Sequence, residues 1–162
     1  MNLPRPSKKT VLIGLIVAAI TLLLSSGLSI WLSKTTDLEI PSIGTVKTIG
    51  VEAYWDEKLE NKTEEINWDT IWVGSSKSVI LYLRSTSNVE TVLILNTTDW
   101  NPKNISKYIN LSWNYNETPI DQGEVILVTI TLSTTYSNTF IEFLILNNVK
   151  EFSFDMIIQA SE

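Results

Sequence analysis

The sequence predicts an all-β domain, a two-sheet antiparallel sandwich of about seven strands, preceded by one N-terminal transmembrane helix. Three observations predict it. A single long uncharged apolar stretch lies near the start. Seven short apolar runs follow, several with strict period two, separated by turn residues. No long amphipathic helix is available to cover a parallel sheet, so α/β architectures are disfavoured.

Residues 1–10 carry Arg5, Lys8 and Lys9 and are expected to stay cytoplasmic. Val11 to Leu32 follows, 22 residues without a charge, of which sixteen are Val, Leu, Ile, Ala or Trp. At ~1.5 Å per residue such a helix is about 33 Å long, enough to cross a hydrocarbon layer of ~30 Å. The basic residues precede it, while Lys34, Asp37 and Glu39 come after it. That bias places the N-terminus inside and the bulk of the chain outside, as a single-pass cell-membrane protein. Trp31 suits the outer interface. A cleaved secretory signal is the competing reading, since Gly27 and Ser29 could precede a cut. The apolar run resuming at Leu28, Ile30, Trp31 and Leu32 argues for a retained anchor instead. A pilin-type signal is a third reading. Thr10 stands where a small Gly or Ala is expected, and no Glu sits early in the apolar run.

Residues 33–44 (SKTTDLEIPSIG) read as a tether, with Pro41 and Gly44 marking irregular backbone. Residues 45–162 read as the exported domain. Val46 to Trp55 is expected as its first strand, with Ile49, Val51, Ala53 and Trp55 on one face. Lys77 to Arg84 is the second, with Val79, Leu81 and Leu83 opposed to Ile80 and Tyr82. Val89 to Leu95 is the third. Ile109, Leu111, Trp113 and Tyr115 alternate with asparagine and serine in the fourth. Val125 to Leu132, Phe140 to Leu146 and Phe152 to Ile158 complete the set. Gly74, Asn88, Pro119 to Gly123 and Asn147–Asn148 mark turns. Asn101 to Lys107 hints at a helical turn, with Pro102 suited to its first position. Trp55, Trp68, Trp72, Trp100 and Trp113 are expected as core and sheet-edge packing rather than a ligand platform.

Composition closes off much chemistry. The chain has no histidine and no cysteine. A disulfide framework, a Cys or His zinc site, a Cys nucleophile and a His general base are therefore excluded. Twelve basic residues less Arg5, Lys8 and Lys9 leave nine against eighteen acidic ones, a net −9 beyond the membrane stretch. That argues against nucleic acid and against electrostatic docking on anionic lipid. Ser75, Ser76 and Lys77 are a conceivable Ser–Lys pair, but small polar residues are expected at a turn after Gly74. Asp56–Glu57, or Asp69 with Asp99, are carboxylate pairs only because acids are plentiful. Asp99–Trp100–Asn101 and Asp56–Glu57 are partial calcium sets without the spacing of a loop. No catalytic, metal or cofactor site is expected, and the chain is not expected to be an enzyme.

Five Asn-x-Ser/Thr acceptors stand out: Asn61, Asn96, Asn104, Asn110 and Asn116. Their number exceeds chance by less than twofold, so position carries more weight than count. Asn110 and Asn116 fall on the polar side of the alternation that buries Trp113 and Tyr115. Such a side can carry a glycan into solvent.

The stretches GVEAYWD (Gly50–Asp56), INWDTIWVGSSKSVILYLRSTSN (Ile66–Asn88), TTDWNP (Thr97–Pro102), YINLSWNYN (Tyr108–Asn116), VILVTITLS (Val125–Ser133) and FSFDMII (Phe152–Ile158) resemble small archaeal single-pass surface proteins. Those have one membrane helix and one Ig-like sandwich. The resemblance implies an Ig-like fold, a cell-surface location and no enzymatic residues. The pattern usually has Trp-Gly and Pro-Gly where this chain has Trp68–Asp69 and Val73–Gly74. Function is then expected to be structural or interactive at the cell envelope. The partners are the bilayer through residues 11–32 and a protein of unknown identity. The final run from Lys150 to Ile158 is a candidate for strand exchange with it, although an internally paired last strand is the plainer expectation. A filament-associated subunit, pilin-like or resembling an archaellum stator, is the second reading. A ligand-binding or enzymatic surface domain is the third.

Overall fold

The computed structural model describes residues 39–161. The segments expected as cytoplasmic (1–10) and membrane-spanning (11–32), and the start of the tether, lie outside the described residues. Among the described residues no helix is long and apolar enough to cross a membrane. The described residues form eight strands: β1 (Glu39–Ile49), β2 (Val51–Tyr54), β3 (Glu65–Trp72), β4 (Ser76–Ser85), β5 (Val92–Asn101), β6 (Ile109–Trp113), β7 (Val125–Thr134) and β8 (Phe152–Ser161). A 3-10 turn (Lys103–Lys107) joins β5 to β6, and one helix, α1 (Asn138–Leu146), joins β7 to β8.

The strands form two four-stranded sheets, ordered β3-β1-β8-β5 and β2-β4-β7-β6. Only β1 and β8 pair parallel; the other ladders are antiparallel. Six of the seven successive strand connections change sheet, so the chain laces the two layers together. Between them lies one core, which includes Ile40, Trp68, Leu81, Leu83, Ile130, Phe154 and Ile158. Trp100 covers its rim, its ring stacked on Phe154 with centroids 4.3 Å apart. The expected β-sandwich is therefore the architecture observed, with eight strands rather than about seven.

The differences have physical causes. The first strand begins at Glu39, inside the stretch expected as tether. Pro41 sits ahead of Ser42, where the β8 ladder starts, so it has only β3 to pair with. Gly44 is buried there because a Cβ would lie 3.1 Å from Trp68 Nε1 and 3.2 Å from the Phe154 ring. The single strand expected over Val46 to Trp55 is two strands. Gly50 takes φ +68° and hands the chain from one sheet to the other. The face therefore changes phase: Val46, Val51 and Ala53 are buried, while Ile49 and Trp55 are exposed.

The strand expected over Phe140 to Leu146 is helix α1. Its apolar run fits either period, and the start signal decides. Ser137 is the N-cap, its Oγ accepting from Phe140 N–H at 3.2 Å. Phe140 and Leu144, four apart, then share the buried side. β8 is also not a free edge. It pairs with β1 on one side and β5 on the other, so the run is the internally paired last strand and not one free for strand exchange.

Candidate interaction surface

The residues singled out for chemistry serve local structure. Ser75 Oγ donates to Trp72 O at 2.7 Å and closes the β3–β4 turn. Lys77 faces Asp69 at 3.8 Å, an exposed pair across the two strands. Asp56 accepts from the amides of Asn61 (2.8 Å) and Glu60 (3.2 Å) and so braces the β2–β3 loop. Asp69 is on β3 and Asp99 on β5, opposite edges of one four-stranded sheet. Three strand spacings separate them, about 14 Å. Paired glycosidase carboxylates stand about 5–9.5 Å apart. Among the described residues no group of three or more Asp, Glu, His or Cys could hold a metal ion.

All five acceptor asparagines are exposed. Asn61 lies in the β2–β3 loop. The other four follow one another along β5, the 3-10 turn and β6. Asn96 is on the outer face of the first sheet, opposite Ile157. Asn104 lies in the 3-10 turn, and Asn110 is on the outer face of the second sheet opposite Ser133. Asn116 lies just beyond β6. Both β5 and β6 are sheet edges on the same flank. Tyr115 fastens that flank, its hydroxyl accepting from Leu93 N–H at 3.3 Å.

Two features of the second sheet's outer face depend on register between distant strands. Across β4 and β7, Tyr82 pairs with Leu127 and Arg84 with Val125. With Ile80 these form an apolar stripe, in which Ile80, Val125 and Leu127 are exposed. Beside it, β2 and β4 assemble a charged knot. Arg84 and Lys62 both bind Glu52, the latter at 3.3 Å, and Tyr54 Oη donates to it at 2.9 Å. The Arg84 guanidinium also lies over the Tyr54 ring, 5.5 Å from its centroid. The hydrogen bond from Arg84, then that from Tyr54, hold the Glu52 carboxyl down at about 2, against an ordinary 4.5. Toward the start of β4 the stripe gives way to hydroxyls, with Ser78 and Thr131 hydrogen-bonded at 2.8 Å. The face is thus charged on the β2 side, and grades from apolar to neutral-polar along β4 and β7. Alternation of Ile80 and Tyr82 against Leu81 and Leu83 hints at the stripe. Nothing in the linear order joins Glu52 to Arg84.

No family model matches the chain, and no curated protein matches it.

Proposed function

We propose that this chain is a membrane-anchored, extracytoplasmic Ig-like module with a structural or protein-interaction role at the cell envelope. It is of the kind found in the small archaeal single-pass surface proteins it resembles. The observation that carries the reading is the exposure of all five acceptor asparagines on a β-sandwich whose chain is preceded by an uncharged 22-residue stretch. Export and acceptor exposure are both needed for glycosylation, and each is written independently. The graded face of the second sheet is the surface offered to a protein partner. Its apolar stripe supplies area and its Glu52–Arg84 knot supplies orientation.

The test is a photo-crosslinking residue at Leu127, activated in intact cells, with Gln122 as the comparison position. A discrete protein adduct at Leu127 and not at Gln122 supports the reading. Adducts to lipid alone count against it. Mass spectrometry of the mature N-terminus tests the anchor. Cleavage near Thr10–Val11 would replace it with a filament subunit.

A further inference from the structure

The pole of the sandwich where β1 begins has a chemistry of its own. Glu39 starts there, and Trp72 pairs with it across β3. Thr134 Oγ1 at the end of β7 donates to Trp72 O at 2.8 Å. The side chain of Tyr136 packs against Gly74, and α1 runs on until Ile145 and Val149 share a shallow surface recess with Glu39. This pole exposes Trp72, Tyr136, Ile145 and Leu146. Leu146 at 83% and Tyr136 at 63% are the two most exposed large apolar side chains among the described residues. Two exposed aromatic side chains and an exposed aliphatic helix end at one pole are poorly suited to water but match the boundary between headgroups and acyl chains.

The sequence puts that boundary within reach. The uncharged stretch ends at Leu32, seven residues before Glu39. Seven extended steps span at most roughly 25 Å. On the membrane-anchored reading a bilayer crossed by residues 11–32 would be within that reach of Glu39, where β1 starts, whereas Gly50 follows the far end of β1. Charge does not bring it there. Glu39, Asp69, Asp99, Glu142 and Glu151 on this end stand against Lys77, Lys103, Lys107 and Lys150, so no excess of positive charge is there to attract anionic lipid and the contact is apolar.

We propose that this pole, through Trp72, Tyr136, Ile145 and Leu146, seats in the outer interfacial layer of the membrane and holds the sandwich upright. The proposal rests on the membrane-anchored reading. The absence of cysteine from the chain allows a single label to be placed at will. Leu146→Cys and Gln122→Cys variants of the full chain, each carrying a polarity-sensitive fluorophore, are reconstituted in phosphatidylcholine vesicles. Flotation sorts the outcomes first. In floated vesicles the Leu146 label should emit to the blue and be quenched several-fold more by acyl-chain-brominated lipid than the Gln122 label. Adding Ile145→Glu should bring the two together. Floated protein whose two labels are equally hydrated overturns the seating and leaves the anchor standing. A chain that fails to float overturns the anchor, and the seating with it.

Discussion

The helix at Asn138–Leu146 can be tested against the strand that its apolar run equally fits. In a strand Phe140, Leu144 and Leu146 would point the same way. In a helix, at 100° per residue, Leu146 lies 200° from Leu144. Leu144 is only 2% exposed and Leu146 is 83% exposed. Leu144→Ala removes a packed isobutyl group and leaves a cavity, a cost of ~2–5 kcal/mol. Taking about 3 kcal/mol, and roughly 4 °C per kcal/mol for a domain of this size, Tm should fall by about 12 °C. Leu146→Ala should stay within ~0.5 kcal/mol, or about 2 °C. Thermal unfolding of the full chain in detergent micelles, followed by near-ultraviolet circular dichroism, reads both. Equal losses at the two positions would refute the helix. Ser137→Ala separates the cap from the packing and should cost about 1 kcal/mol.

Gly44→Ala should destabilise by ~1–3 kcal/mol, because its Cβ would press on the Trp68 indole and the Phe154 ring in the core. A denaturant midpoint equal to that of the parent chain would show that the ring pair can give way. The depressed Glu52 carboxyl adds a pH signature. The unfolded chain takes up this proton near 4.5 and the folded chain near 2. The contribution is therefore complete above about 4.5 and is lost as pH falls through about 2. With the carboxylate partly exposed, it should amount to less than about 1 kcal/mol. The stability gap between the parent and Glu52→Gln should close across that window; a gap constant from pH 6 to pH 2 argues against it. Glycopeptide mass spectrometry from a glycosylating host should find modification at one or more of the five asparagines. Asn104, in the 3-10 turn at the pole where β1 begins, should be the least occupied if that pole seats in the membrane, and full occupancy there would contradict the seating.

Regular alternation was legible wherever a strand keeps one phase. In β4, Leu81 and Leu83 are buried and Ile80 is exposed, and in β8 Phe152, Phe154, Met156 and Ile158 face the core as their spacing requires. β3 escaped because its phase slips. Ile66 and Trp68 are buried, but the next core residue is Ile71 rather than a residue at position 70. The register of β1 against β3 shifts between Ser42 and Ile43, and Asp69 takes φ +52° beside the unpaired Trp68. Period two cannot be read through a bulge. The sheet change at Gly50 hid the boundary of β1 and β2 in the same way. At α1 the apolar run was ambiguous, and only Ser137 with the Phe140–Leu144 spacing could decide. The acceptor asparagines were legible as a motif, but the gathering of four of the five on one flank was not. It depends on β5 and β6 being edges of different sheets.

Those edges bear on what kind of partner the domain can take. An open sheet edge invites another strand, and each of the four is blunted, two by shortness and two by an irregular ladder. β2 and β6 are short, four and five residues. β3 is bent at its Trp68–Asp69 bulge. β5 is irregular between Thr98 and Asn101, where Asp99 takes φ +53°. The β5 and β6 flank carries four glycan acceptors besides, and a sugar chain at Asn96 or Asn110 would obstruct an incoming strand. The backbone ladder is thus an unpromising route for recognition. What stays open is the graded face of the second sheet and the aromatic pole. The first suits side-chain contact with a protein and the second suits lipid. The two surfaces are compatible in one molecule, because the pole lies at the end of the strands and the face runs along them. A sandwich seated on its pole would present the Ile80–Leu127 stripe sideways, parallel to the membrane normal, toward neighbours standing on the same surface.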